Sequence, residues 1–260
     1  MSYLVDYHMH TTFSDGKDTY PSYLEKARKM DLAEIGFSDH ITLEAVDWCV
    51  KEIDFPVMKE NLKSLCNDFS EDVQVRFGIE VDYFPDKEQE LKEVIAYFPV
   101  DYVIGSVHFI NDWNFDIDYS LYGKWPNDEL YRMYFELIQK AAKSGLFDVI
   151  GHFDVIKKLQ CWPESDQTHL YEETLKVIKE ADLVMELNTG GLDRPCKEFF
   201  PNRKILEMSA KLGIPLTLGS DAHHPEQVGR HFETAIQLLK EVGYTKITRF
   251  RNRLRSEISI

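Results

Sequence analysis

Two histidines one residue apart, His8 and His10, close a short run beginning at Tyr3. In an extended segment residues i and i+2 face the same side, about 7 Å apart at Cα, so both imidazoles can reach one metal ion. A lone pair of this kind also fits the wet face of an edge strand. A second chelating pair, Asp221 and His223, stands near the other end of the chain, and His40, Glu80, His108 and His152 each close an apolar run of their own, with Asp15 just after the first. Six of the nine histidines belong to this set. Taken singly, each residue reads as a loop group or a satisfied core histidine; taken together, that reading needs the same accident on most strands. Imidazole and carboxylate with no thiolate nearby suit zinc, iron(II) or manganese, and the donors outnumber what one or two ions usually take, so the pattern points to a multinuclear centre.

The elements that must position these groups alternate. Strand-like runs at 3–10, 34–40, 73–83, 102–109, 149–154, 183–189 and 215–223 are interleaved with helical patterns at 20–32, 57–69, 87–97, 127–144, 165–181, 201–212 and 228–242. Segment 111–126, aromatic and rich in Asp and Asn, reads as a loop over a site. The tail 244–260 is basic and β-prone, and the pattern gives it no place. Seven β-then-α units without a linker predict a parallel sheet with crossover helices. The expected fold is α/β, a distorted (β/α)7 barrel resembling a TIM barrel, with residues 1–260 as one domain. In such a barrel the carboxyl ends of the strands converge on one face, where active sites are built.

The totals narrow the partners. Acidic residues number 45 against 30 basic, a formal charge of −15, which argues against nucleic acid or an anionic membrane surface. A phosphate must then be attracted locally. Cys49, Cys66, Cys161 and Cys196 are scattered without a CxxC pair and read as reduced thiols. No basic n-region with an apolar stretch opens the chain, and no apolar run approaches the roughly 18 residues of a membrane span, so a cytoplasmic protein is expected.

The ordered series His8-x-His10, Asp15, His40, Glu80, His108, His152, Asp221-x-His223 resembles the PHP (polymerase and histidinol phosphatase) superfamily, over nearly the whole chain. Gly78-Ile79-Glu80-Val81-Asp82-Tyr83, Gly105-Ser106-Val107-His108-Phe109-Ile110 with Trp113 and Phe115-Asp116, and Gly151-His152-Phe153-Asp154 look like its histidinol-phosphate phosphatase branch. The resemblance implies the PHP fold and three divalent ions, zinc, iron or manganese. His8, His10, Glu80 and Asp221 would hold one ion; Glu80, bridging, with His108 and His152 a second; Asp15, His40 and His223 a third. Some members carry histidine where Asp15 stands.

The implied activity is hydrolysis of L-histidinol phosphate to L-histidinol and phosphate, in histidine biosynthesis, by a metal-bridged hydroxide held at Glu80. Asp154 or His224 would give the leaving alkoxide its proton. Lys157, Lys158, Arg194 and Arg230 are the candidate phosphate clamps, with Arg194 first because related phosphatases place an arginine in that loop. Glu44, Asp47, Trp48, Asp112, Trp113 and Asp116 are candidates for the organic half of the substrate, while Trp48 and Trp113 equally fit the commoner role of pinning their own loops. The expected partner is a small-molecule phosphate ester, with no nucleic acid and no membrane, in a monomer or small homo-oligomer. Three other readings compete: a PHP phosphoesterase acting on a nucleotide, a phosphotyrosine or a DNA 3′ end; an amidohydrolase; and a non-catalytic PHP module. Amidohydrolases also open on His-x-His, but typically use a lysine between metals where Glu80 stands here.

Overall fold

The β-branched and aromatic runs form short strands, described by a computed structural model for residues 4–67 and 73–260. In chain order these are β1 (Val5–Asp6), β2 (Glu34–Phe37), β3 (His40–Ile41), β4 (Gln74–Asp82), β5 (Tyr102–Ser106), β6 (Phe109–Ile110) and β7 (Trp113–Asn114). They are followed by β8 (Val149–Ile150), β9 (Val184–Asn188), β10 (Leu216–Gly219), β11 (Lys246–Arg251) and β12 (Leu254–Ser259). The helices are α1 (Tyr20–Lys29), α2 (Phe55–Asn67), α3 (Glu88–Tyr97), α4 (Asn127–Lys143), α5 (Thr168–Glu180), α6 (Arg203–Leu212) and α7 (Phe232–Val242). Each helix exists because one face is apolar. In α4, Leu130, Tyr131, Tyr134, Phe135 and Ile138 recur at helical spacing and are all buried. The Asn202 side chain caps α6 by accepting the Ile205 N–H at 3.1 Å, and Gly213 ends it in the left-handed region.

The main sheet runs β1-β2-β4-β5-β8-β9-β10, all parallel, with β3 adding to β4 so that His40 stands opposite Glu80. Closure is by a few backbone bonds: Tyr7 N–H to the Leu218 carbonyl at 3.0 Å, His10 N–H to the Ala222 carbonyl at 2.9 Å, and Ala222 N–H to the His8 carbonyl at 3.2 Å. The result is the expected distorted seven-stranded barrel, with strand order following chain order.

Segment 111–126 lies over the rim as expected, with Asn114, Asp116, Ile117 and Tyr119 lining a cavity there, but it is more than a plain loop. It begins in an antiparallel hairpin, β6 with β7, and two of its aromatic residues pack inward while Tyr119 stays exposed: Trp113 and Phe115 are buried, and Trp113 Nε1–H donates to the Asp118 carbonyl at 2.8 Å. The expected start at Tyr3 and the helical reading of residues 68 and 69 lie outside the described residues, as does the side chain of Cys66. Cys49, Cys161 and Cys196 are free thiols. Among the described residues no helix is long and apolar enough to cross a membrane.

The tail finds its place at the amino-terminal end of the barrel. β11 and β12 form an antiparallel hairpin whose Phe250 packs on Tyr7 and Tyr102, with ring centroids 5.9 and 5.8 Å away. Its basic residues meet acids at the strand starts: Arg253 Nε donates to Asp148 at 2.8 Å, Arg255 pairs with Asp182, and Arg249 reaches buried Glu34 at 3.2 Å. The hairpin is thus a plug. Phe250→Ala should cost about 3–5 kcal/mol of stability, read as the denaturant midpoint, while turnover per folded molecule stays unchanged because the plug lies away from the histidines.

Candidate metal centre

All nine side chains singled out in the sequence converge on the carboxyl-terminal rim of the barrel, around Glu80. Its Oε2 lies 2.7 Å from His40 Nδ1, 3.2 Å from His8 Nε2 and 3.6 Å from His10 Nε2. Its Oε1 lies 2.9 Å from His152 Nε2 and 3.8 Å from His108 Nε2, and accepts from Ser106 Oγ at 2.5 Å. Asp221 Oδ1 faces His10 Nε2 at 3.4 Å and His8 Nε2 at 3.8 Å; Asp15 Oδ2 faces His223 Nε2 at 3.3 Å. Four overlapping groups bring their ligand atoms within 4.8 Å of one another: His10 with Asp15, His40 and His223; His8 with Glu80 and His152; His8 with His10 and Asp221; and His40 with Glu80 and His108. Each has the donor types and spacing to hold an ion.

Behind these groups stand carboxylates whose supporting roles sequence reasoning missed. Asp82 takes His108 Nδ1 at 2.8 Å, and Glu186, on β9, takes His8 Nδ1 at 2.7 Å. Buried Asp39 accepts the Thr11 N–H at 2.6 Å and Ser14 Oγ at 2.7 Å, pinning the turn that carries Asp15. That turn passes so close to the first strand that a Cβ on Gly16 would fall 2.0 Å from the His10 carbonyl oxygen. Asp6 accepts the Ser220 and Gly229 N–H groups, each at 2.9 Å, and so fixes the segment before Asp221. One signal was available: Asp82 and Glu186 each lie near the carboxyl end of a strand, at positions where a surface carboxylate would be out of place.

The residues fit a bound cation. Buried His8 Nε2, both ring nitrogens of His10, Glu80 Oε2 and Asp15 Oδ1 have no hydrogen-bond partner, and a polar atom withdrawn from water with no partner is costly. Without an ion the cluster balances its charge with protons. Burial alone would push the Glu80 carboxyl up, yet neighbouring His8 and His40 hold it well below the usual carboxylate range. Burial would likewise lower the imidazoles. The Asp82 carboxylate nevertheless raises His108 to about 10, and the hydrogen bond and charge of Asp15 raise His223 to about 9. Both rings are therefore protonated in the metal-free protein at neutral pH, and a ligand nitrogen must lose its proton. Glu186, Glu80 and Asp221 likewise raise His8 well above the ordinary imidazole value, so loading zinc at pH 7.5 should release at least two protons, those of His108 and His223, with His8 adding to the count, measured as the difference in binding heat between two buffers of unlike ionisation enthalpy. The release should fade as pH rises through these values, and apparent affinity should fall as pH drops.

Beside the cluster lies a cavity of about 250 Å³, lined among others by Trp48, Asn114, Asp116, Tyr119, Lys158, Arg194 and Phe200. Arg194 is exposed, and among the described residues its guanidinium has no ion-pair partner. Lys158 also faces the cavity, with its ammonium already held by Asp116. The other expected clamps are elsewhere. Lys157 is buried, its Nζ spent on Asp154 at 2.7 Å, the Phe199 carbonyl at 2.8 Å and Glu198 at 3.0 Å. Arg230 holds the Ser220 and Asp221 carbonyls at 2.8 and 2.9 Å, a tether for the ligand loop rather than a lining group.

Both expected proton donors are corrected by their surroundings. Asp154 is buried against Lys157 and the Asn202 N–H and does not line the cavity. His224 is exposed and caps a turn, its Nδ1 accepting the Glu226 N–H at 3.2 Å. Trp113, taken as a substrate contact, pins its own hairpin against Trp125 at 5.8 Å and also lies off the cavity. Of the other candidates for the organic half, Trp48 and Asp116 line the cavity, while Glu44, Asp47 and Asp112 line other depressions.

A family model described as PHP domain matches residues 6–190, and one described as PHP-associated matches residues 200–240. A Deinococcus radiodurans protein named "Probable histidinol-phosphatase" is 34% identical over 260 residues, covering 97% of this chain and 98% of its own. The "Histidinol-phosphatase" of Bacillus subtilis is 26% identical over 262 residues, covering 89% of this chain and 98% of its own. Among solved structures, histidinol phosphate phosphatase from Lactococcus lactis subsp. lactis, complexed with zinc, L-histidinol and phosphate, aligns with a TM-score of 0.83 at 23% identity. The alignment covers 97% of this chain and 98% of that one, and the likeness is one of fold.

Proposed function

The chain belongs to the PHP domain family, and from that premise we propose that it is a histidinol-phosphatase, a metal-dependent monoesterase that splits L-histidinol phosphate with water into L-histidinol and phosphate. The observation that carries this reading is the joining of two features on one rim: a cluster of inward-facing imidazoles and carboxylates around Glu80, and an unpaired Arg194 across a cavity sized for a small ester. The relatives named for this reaction align over almost the whole chain.

The proposed ligand sets are His8, His10, Glu80 and Asp221 for one ion, Glu80, His108 and His152 for a second, and Asp15, His40 and His223 for a third. Zinc, iron or manganese would suit them. Divalent ions held by these residues would supply Lewis acidity, bringing the ionisation of water toward neutral pH and offsetting phosphate charge. The chain's own residues do the rest. Glu80 presents one oxygen to the His152 side and the other to the His8 and His40 side, so its carboxylate can belong to two ligand sets at once. Arg194 binds and orients phosphoryl oxygens with a planar fork, and Lys158, steadied by Asp116, adds positive charge to the same wall. Asp116, Asn114, Tyr119 and Trp48 face the organic half, where a carboxylate and aromatic rings suit an amine and an imidazole. We further infer that residues 1–260 act as one domain, that the protein is cytoplasmic, a monomer or small homo-oligomer, and that it uses no nucleic acid.

The test is phosphate release from histidinol phosphate, adenosine monophosphate and a phosphotyrosine peptide, with metal analysis on the same preparation. Histidinol phosphate should lead in kcat/KM; preference for the nucleotide or the peptide sinks the assignment. Arg194→Ala should raise KM and lower kcat/KM about 10- to 100-fold, the loss of one charged hydrogen-bonding group, with metal content unchanged. Unaltered kinetics would remove Arg194 from the site.

A further inference from the structure

Glu186 occupies a position with no counterpart among the ion-facing groups. It sits on β9, is buried, and points its two oxygens at two different histidines: Oε1 is 2.7 Å from His8 Nδ1, and Oε2 accepts the backbone N–H of His152 at 2.7 Å. Asn188 Nδ2 donates to the same Oε2 at 3.3 Å. Among the described residues no lysine or arginine pairs with it; its ion-pair partner is His8. Room for the carboxylate exists because residue 219 has no side chain, since a Cβ on Gly219 would fall 1.9 Å from Glu186 Oε1 and 2.6 Å from His8 Cβ.

We propose that Glu186 is a positioning residue that fixes the ring tautomer of His8 and the place of His152 together, and so sets the affinity of the ions these two histidines share with Glu80. The inference rests on the reading that His8 and His152 are ligands. A backbone N–H can only donate, so Oε2 must accept. A carboxylate has no proton to offer at Oε1 either, so His8 must carry its proton on Nδ1. With Nδ1 held as a donor, Nε2 is the nitrogen left to serve an ion, and it is the atom aimed at Glu80 and Asp221, without a hydrogen-bond partner of its own. The requirement discriminates sharply between a carboxylate and its closest isostere. A glutamine that keeps its oxygen on the His152 N–H turns its NH2 toward His8 Nδ1, which moves the ring proton to Nε2 and removes the ligand. Turned the other way, its NH2 meets the His152 N–H, donor against donor, and the strand end carrying His152 is pushed away. Neither orientation serves both histidines.

The experiment compares full-length wild-type protein, Glu186→Gln and Glu186→Asp, each stripped and reloaded by dialysis against zinc buffered at stepped free concentrations. Circular dichroism of the stripped forms reports folding. Glu186→Gln should weaken part of the bound zinc roughly 10- to 100-fold, the usual effect of losing an outer carboxylate partner, while the remainder binds as in wild type. Zinc affinity and number unchanged in Glu186→Gln would overturn the inference; partial recovery in Glu186→Asp supports it. A second readout needs no variant. In zinc-loaded wild type labelled with ¹⁵N-histidine, His8 should show a protonated Nδ1 and a metal-bound Nε2, and a proton on Nε2 would overturn the proposal even if the variants failed to fold. Zinc binding is read without substrate, so loss of the histidinol-phosphate assignment would leave this result standing, and the reverse.

Discussion

Glu80→Gln should lower kcat/KM by about three orders of magnitude or more, which is roughly 4 kcal/mol of barrier. The substitution keeps the volume of a side chain that is buried at the centre of the rim, so the barrel has no packing reason to fail. What changes is charge and donor pattern. Glu80 Oε2 stands 2.7 Å from His40 and 3.2 Å from His8, while Oε1 takes the Ser106 hydroxyl and faces His152 at 2.9 Å. An amide must turn an NH2 toward one of these sides, and it brings no negative charge to balance the ions proposed there. Bound metal should fall together with activity, while circular dichroism keeps its wild-type shape. A Glu80→Gln protein with full metal content and turnover within tenfold of wild type would refute the central role given to this carboxylate.

Exhaustive chelation should abolish turnover and lower Tm. An ion that binds only the folded chain stabilises it by RT ln(1 + [L]/Kd), about 4 kcal/mol for one site at a thousandfold excess over Kd. For a chain of this size each kcal/mol moves Tm by about 2–4 °C, so emptying one such site should cost about 8–16 °C, and more if several empty together. The physical cause is local. In the metal-free chain the unpartnered His8, His10 and Glu80 atoms stay buried without ligands, and protons on the neighbouring imidazoles must hold the charge balance. Differential scanning calorimetry before and after chelation, and after restoring zinc, manganese or iron(II), reads both the loss and the ion that reverses it. A Tm and rate untouched by chelation would end the metal-dependent account.

The departures from the sequence reading follow a pattern. Asp154, Lys157 and Arg230 were candidates because they close or follow a strand on the rim side, Asp154 at the end of its own, Lys157 just after it and Arg230 beyond the last chelating pair. Sequence distance does not say which way the chain turns after the strand. Lys157 falls in a short helical turn that carries its ammonium under Phe199, whereas Lys158, one residue on, faces the cavity. Trp113 was read as a loop contact, yet burial among aromatic rings outweighed exposure and made it the anchor of a hairpin. The tail had no assigned place because its partners, Tyr7, Asp101 and Asp148, lie more than a hundred residues away.

What the linear sequence determined by itself is the alternation of strand and helix, hence the barrel, and the nine imidazoles and carboxylates of its rim. Period-two and helical spacing are local properties, and the parallel order of the strands then carries their ends to one face without further information. Only the tertiary structure decided which second group stands behind each ligand, as Glu186 stands behind His8 and Asp82 behind His108, and which cation is left unpaired for an anion. Those outcomes depend on side-chain direction and on competition among partners distant in the chain, and neither is encoded in the spacing of residues along it.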